Sequence, residues 1–167
     1  MQQAETPETR RGGRHGMKWT PGVVAVAAVV GLAMLAGAEA SHLKENPKKH
    51  KIVYHLNEAG VDKAKFVLTN IENHLKGVGG LQNIEAIELV VHGPALKNFL
   101  TATIDPGLKA SLERLQTEGL VFGACGNTMK AFNITLEQLP EGAKYLPQGG
   151  VVRVMELEER GYAYIKP

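Results

Sequence analysis

From Lys51 to the C-terminus the sequence alternates short β-branched runs with longer stretches whose apolar residues recur at helical spacing, and this alternation constrains the fold most. Lys51-Ile52-Val53-Tyr54-His55-Leu56 reads as a first buried strand, broken by Asn57, Glu58 and Gly60. Between Val61 and Lys76 the residues Ala64, Leu68, Ile71 and Leu75 form one apolar helical stripe, which Gly77 and Gly79-Gly80 end. Ile84 to Val91 is apolar enough for a central strand, and His92-Gly93-Pro94 bounds it. A short helix is expected over Ala95–Leu100. Asp105-Pro106 then supplies an N-cap with proline at the first helical position, and Leu108, Leu112 and Leu115 carry the stripe to Gly119.

Leu120 to Ala124 reads as a third strand, and Gly126-Asn127-Thr128 starts a helix burying Met129 and Phe132. Thr135 and Gln138 have capping-box spacing. Lys144-Tyr145-Leu146 fits a brief strand, Gly150–Arg160 a helix closed by Gly161, and Tyr162–Ile165 a last strand. Parallel neighbours need crossover connections, so strands separated by helices imply a mostly parallel, five-stranded sheet with helices on both faces. The expected fold is therefore α/β in a single domain. Strand order is not readable from this pattern.

The N-terminal part has a different character. Residues 23–36, VVAVAAVVGLAMLA, form an uncharged apolar run behind Arg10, Arg11, Arg14 and Lys18 and ahead of Ala38-Glu39-Ala40. This is the form of a cleavable signal peptide over residues 1–40, and the run is short and alanine-rich for a membrane span. Gly12-Gly13-Arg14 after the arginine pair does not suit a twin-arginine signal, so general secretion is expected. Met17-Lys18-Trp19 would itself open a compact signal peptide, which leaves translation starts at Met1 and Met17 both open. Residues 41–50, with His42, Pro47 and His50, read as a polar linker to the domain at 51–167. The expected location is periplasmic or otherwise exported, with no stable membrane insertion after cleavage.

Four of the 19 basic and three of the 17 acidic residues precede Ser41, leaving 15 against 14 and a net charge of +1. Such dispersed charge provides no footprint for nucleic acid. Phosphate-binding G-x-x-x-x-G-K-[ST], G-x-G-x-x-G after the first strand, C-x-x-C and G-x-S-x-G are all missing, which removes support for nucleotide-dependent, dithiol and serine-hydrolase chemistry. No cofactor is called for. Asn133-Ile134-Thr135 matches a glycosylation pattern too short to weigh.

In an open parallel sheet ligands bind outside the carboxyl ends of the strands. Three segments fall there: His55-Leu56-Asn57, His92-Gly93-Pro94 and Cys125-Gly126-Asn127-Thr128. Cys125 is the single cysteine, and it stands where a strand meets a helix, so helical N–H groups at Gly126, Asn127 and Thr128 favour its thiolate. Gly123 and Gly126 leave little bulk around it. An exported chain with one cysteine cannot close an intrachain disulfide, which marks the thiol as reactive or intermolecular; cysteine is equally a common inert core residue. His55 and His92 suit substrate orientation, proton exchange with Cys125, or soft-metal ligation beside it, and either also fits a structural histidine. Asn57, Gly126, Asn127 and Thr128 complete the candidate substrate-binding set. His74 is expected at the surface.

With these segments placed, residues 51–167 resemble the DsrE/DsrF-like sulfur-relay family. The stretches that carry the resemblance are KIVYHLNE, IELVVHGPAL, FGACGNTM and VVRVMELEERGYAYIKP, in that order. The resemblance implies a five-stranded, mostly parallel sheet, assembly into homotrimers or homohexamers, and a persulfide carried on the cysteine after the third strand, here Cys125. Relay members of that family are typically cytoplasmic and act with related subunits, and an exported chain departs from that pattern.

Three functions are expected from this reading. The first is a sulfur handler, a carrier or sulfurtransferase, that takes sulfane sulfur on Cys125 from a donor and passes it to an acceptor thiol or protein. The second is a non-catalytic homo-oligomeric binding module in which Cys125 only packs. The third is a copper or zinc site formed by Cys125 with His55 or His92.

Overall fold

The structure, a computed structural model, describes residues 48–167. The signal peptide assigned to residues 1–40, and residues 41–47 of the linker, lie outside the described residues. Five strands, β1 (His50–Leu56), β2 (Ile84–Val91), β3 (Leu120–Cys125), β4 (Lys144–Leu146) and β5 (Ala163–Ile165), form one all-parallel sheet in the order β4-β3-β2-β1-β5. Four α-helices join them: α1 (Val61–Gly77), α2 (Pro106–Thr117), α3 (Gly126–Phe132) and α4 (Gly150–Glu159). Among the described residues no helix is long and apolar enough to cross a membrane.

The order of the strands decides which face each helix covers. From β1 through β4 the chain steps repeatedly in one direction, and right-handed crossovers put all these connections on the same face. That face holds the main core: Ala64, Leu68, Ile71 and Leu75 of α1 and Leu108, Leu112 and Leu115 of α2 pack on Ile52, Leu89 and Phe122. The chain then returns across the whole sheet to β5, and the same handedness carries α4 to the opposite face. A second, smaller core of Val53, Val90, Leu146, Val154 and Leu157 lies there. Helices thus cover both faces.

Four expectations change in detail. Gly93–Phe99 is a 3-10 segment rather than an α-helix from Ala95, and the Leu100 N–H closes it on Lys97 O three residues back. His50, assigned to the linker, opens β1, with a register shift between it and Lys51. Phe132 is not core: α3 is two turns long, Met129 takes the inward position, and Phe132 lies under the Lys97 ammonium, 4.1 Å from its ring centre. His74 also leaves the surface, half-buried and hydrogen-bonded at 2.9 Å to Tyr54 Oη, whose pKa burial pushes up to about 12. The N-cap and the capping box are present as expected: Asp105 accepts from Leu108 N–H at 3.0 Å, and Thr135 and Gln138 cap each other.

Candidate functional site

Successive residues of a strand alternate between faces, so the register identifies the side chains that share the α4 side of the sheet. On β3 these are Val121, Gly123 and Cys125; on β2, Glu88 and Val90, with His92 continuing the row; on β1, Val53 and His55; on β5, Tyr164. Tyr164, His55, His92 and Cys125 therefore follow one another across the carboxyl ends of four adjacent strands. The connections after β3 and β4 leave on opposite faces, α3 on one and α4 on the other, and such a parting opens a crevice at the strand ends. Cys125 is at its floor.

The thiol is 5% exposed and borders a cavity of about 220 Å³ lined by His92, Asn127, Thr128, Gln148, Gly149, Gly150, Val151 and Val152. Burial pushes its pKa up, but hydrogen bonds from the Thr128 hydroxyl and from the N–H groups of Thr128, Gly150 and Asn127 outweigh burial and hold it below the ordinary cysteine value. Cys125 is the N-cap residue of α3, and Asn127 and Thr128 are that helix's second and third residues. The sulfur lies at the start of that helix without making the side-chain cap hydrogen bond of a serine or aspartate oxygen. Gly93 N–H donates to Thr128 Oγ1 at 2.8 Å, which occupies a lone pair of that oxygen and leaves its own hydrogen available for donation.

Of the sequence-derived candidates, Cys125, His92, Asn127 and Thr128 meet at the cavity. His55 stands behind His92, their Nε2 atoms 2.6 Å apart and their rings stacked, and its Nδ1 is 2.7 Å from Tyr164 Oη. Burial, then His92 and Lys166, lower the His55 pKa to about 4; burial and Lys166 lower that of His92. Both imidazoles are neutral at pH 7, so the row is a chain of uncharged hydrogen-bonding groups ending at the thiol pocket. Gly126 and Asn57 lie apart from the cavity lining. A β-carbon on Gly126 would come within 2.8 Å of Leu146 O, so Gly126 lets α3 start against β4. Asn57 Oδ1 is buried without a hydrogen-bond partner.

The small residues that admit the site are Gly149 and Gly150, which the sequence reading passed over. A β-carbon on Gly149, where φ is +91°, would approach Asn127 Nδ2 to 2.7 Å; one on Gly150 would meet His92 at 3.1 Å and Cys125 Cβ at 3.4 Å. Gln148, Val151, Val152 and Tyr164 were also missed. A glycine pair between a short strand and an apolar helix was the available signal for the first group; Tyr164 had none before β5 was known to pair with β1. Among the described residues no three His, Cys, Asp or Glu side chains converge as a metal set.

Fold and site together define a single-domain, all-parallel α/β protein with a buried free thiol at a strand-end crevice. Its fold is similar to that of MTH1491 from Methanobacterium thermoautotrophicum, a protein of unknown function, at TM-score 0.63 and 23% identity over 71% of this chain and 100% of that one. It is also similar to the ychN protein of E. coli, at TM-score 0.53 and 15% identity over 71% of this chain and 99% of that one. At these identities the likeness is one of fold. No protein-family model matches the sequence, and no curated protein matches it.

Two outcomes are expected. Thr128→Val should raise the thiol pKa, read from ultraviolet thiolate absorbance against pH. It should also cost about 1–3 kcal/mol in urea unfolding, because Gly93 N–H loses its acceptor. The histidines set an acid limit: folded His55 titrates near 4 against 6.5 when unfolded, so its contribution to stability is complete above 6.5 and is lost as pH falls towards 4. The melting temperature should be level above pH 7 and fall between 6.5 and 4, and His55→Gln should make that fall shallower.

Proposed function

We propose that this chain handles sulfane sulfur, carrying it as a persulfide on Cys125. The observation that carries the proposal is the place of the Cys125 sulfur between the starts of two helices, α3 beginning at Cys125 itself and a β-carbon on Gly149 at the start of α4 lying 4.0 Å from Sγ, where Thr128 and backbone N–H groups favour the charged form. Those groups hold a sulfur anion at the floor of a cavity with room for more atoms. The resemblance of KIVYHLNE, IELVVHGPAL and FGACGNTM to the DsrE/DsrF-like family supports the same reading.

The chemistry is two displacements at sulfur. Cys125 thiolate attacks the sulfane sulfur of a polysulfide or persulfide donor; a Cys125 S–S bond forms, the donor S–S bond breaks, and the electron pair leaves on the donor thiolate. An acceptor thiolate then attacks the outer sulfur and regenerates Cys125 thiolate, with no net oxidation or reduction. The donors already present on the bare thiolate would hold the charge of the loaded persulfide. In this reading His92 orients the incoming donor and His55 holds His92. The reading includes donor and acceptor thiols or proteins as partners, a closed homotrimer or homohexamer, and export after cleavage behind Ala40.

Exposure of purified protein to polysulfide should add the mass of sulfur to the wild type and not to Cys125→Ser. Serine is near-isosteric with cysteine and is favoured at a helix N-cap, so that variant should remain folded. A wild type that gains no sulfur under conditions where its thiol reacts with iodoacetamide would leave the binding-module reading in its place. Native protein should begin at Ser41 by N-terminal sequencing and scatter light as a closed oligomer; an uncleaved chain in the membrane fraction, or a monomer at every concentration, would remove those parts.

A further inference from the structure

The start of α4 packs against the thiol site, a β-carbon on Gly149 lying 4.0 Å from Cys125 Sγ and one on Gly150 3.4 Å from Cys125 Cβ, and one ion pair ties the first turn of this helix to the sheet. Arg153 belongs to this first turn, its N–H donating to Gly149 O at 3.1 Å. Its guanidinium grips Glu88 of β2 with both arms, Nε to Oε1 at 2.9 Å and Nη2 to Oε2 at 2.8 Å. Glu88 is 4% exposed. A third contact, 3.6 Å from Nη1, reaches Glu156, whose Oε2 accepts from Gln148 Nε2 at 2.9 Å; Gln148 lines the cavity.

We propose that the Glu88–Arg153 pair is a positioning device for the thiol site, fixing the first turn of α4 so that Gly150 N–H and the Gln148–Gly149 segment stay against Cys125. The proposal rests on reading Cys125 as the reacting group. Against the sheet α4 otherwise buries only Val154 and Leu157 beyond its first residue, and apolar contacts tolerate sliding that a bidentate fork does not. A buried pair is no more stabilising than apolar residues of similar size, so stability alone does not call for one here. Gly123 makes room for it: a β-carbon there would come within 3.1 Å of Glu88 Oε1. Displacing the helix start by about 1 Å would shift Gly150 N–H relative to the sulfur and weaken its stabilisation of the thiolate.

The groups that face the sulfur are the Thr128 hydroxyl, the N–H groups of Asn127, Thr128 and Gly150, and neutral His92 across the cavity. Of these, Gly150 is the one on the element Arg153 holds. The test titrates the thiol in Arg153→Lys, which keeps the charge and loses the fork, and in the double variant Glu88→Leu/Arg153→Met, which leaves no buried charge. Melting curves establish that each is folded. Both should show a thiol pKa raised by about one unit, a tenfold loss of thiolate at pH values well below it. A folded Arg153→Lys or a folded double variant with the wild-type thiol pKa would overturn the proposal, and should the double variant not fold, Arg153→Lys decides. Because the readout is titration and not sulfur loading, a wild type that takes up no sulfur defeats the proposed function and leaves this result standing.

Discussion

The reversal of chain direction after β4 is the constraint on which the site depends. While the chain steps from β1 to β4 its helices gather on one face, and a fifth strand added beyond β4 would have left the other face of the sheet bare. Returning to pair with β1 instead carries α4 over that face and starts it directly beside the end of β3. Two helices that belong to opposite faces thereby begin within reach of one side chain. At their starts backbone N–H groups from both layers come near Cys125.

How much of this could be read from the sequence follows from the range of the interactions involved. The stripes Ala64/Leu68/Ile71/Leu75 and Leu108/Leu112/Leu115, the Asp105-Pro106 start and the Thr135/Gln138 box are local patterns, and the elements form where they indicate. So is the strand-to-helix step at Cys125. The position of α4 over β2 and β3 is set by strand order, which no local pattern records, and with it went Gly150, Gln148 and Tyr164. Phe132 failed for a related reason: its spacing from Met129 was right for a helical stripe, but α3 ends at once in left-handed Asn133, and the chain sends Ile134 into the core instead. Gly123 and Gly126 were noticed for the sulfur and in fact make room for Glu88 and for β4.

Electrostatically, the site is assembled from dipoles. Among the cavity-lining residues the one ionisable neighbour of the thiol is His92, and burial together with Lys166 keeps it neutral. The full charges that shape the site, Glu88 and Arg153, are paired with each other below the cavity. A thiolate in such surroundings is favoured by hydrogen bonds that shorten little and reorganise little when charge appears on sulfur, as in preorganised anion sites generally. The arrangement would serve equally for a charge that moves from the inner sulfur to an outer one, since the donors come from more than one direction.

Helix starts ordinarily have unsatisfied N–H groups that some side chain or water must cover. In α2 the Asp105 carboxylate does this. Neither α3 nor α4 has a side-chain cap of the ordinary kind: α3 begins at Cys125 itself and α4 at Gly149, whose conformation at φ +91° suits glycine and offers no side chain at all. A serine or aspartate at position 149 would cap α4 locally, but its β-carbon would collide with Asn127, and its oxygen would compete with sulfur for the N–H groups of the first turn. The uncapped start is therefore what makes α4 available to Cys125. Because such a start contributes little to holding its own helix, the fixing of α4 has to come from elsewhere along it, and the Glu88–Arg153 fork one turn further on is the contact with the geometry to provide it.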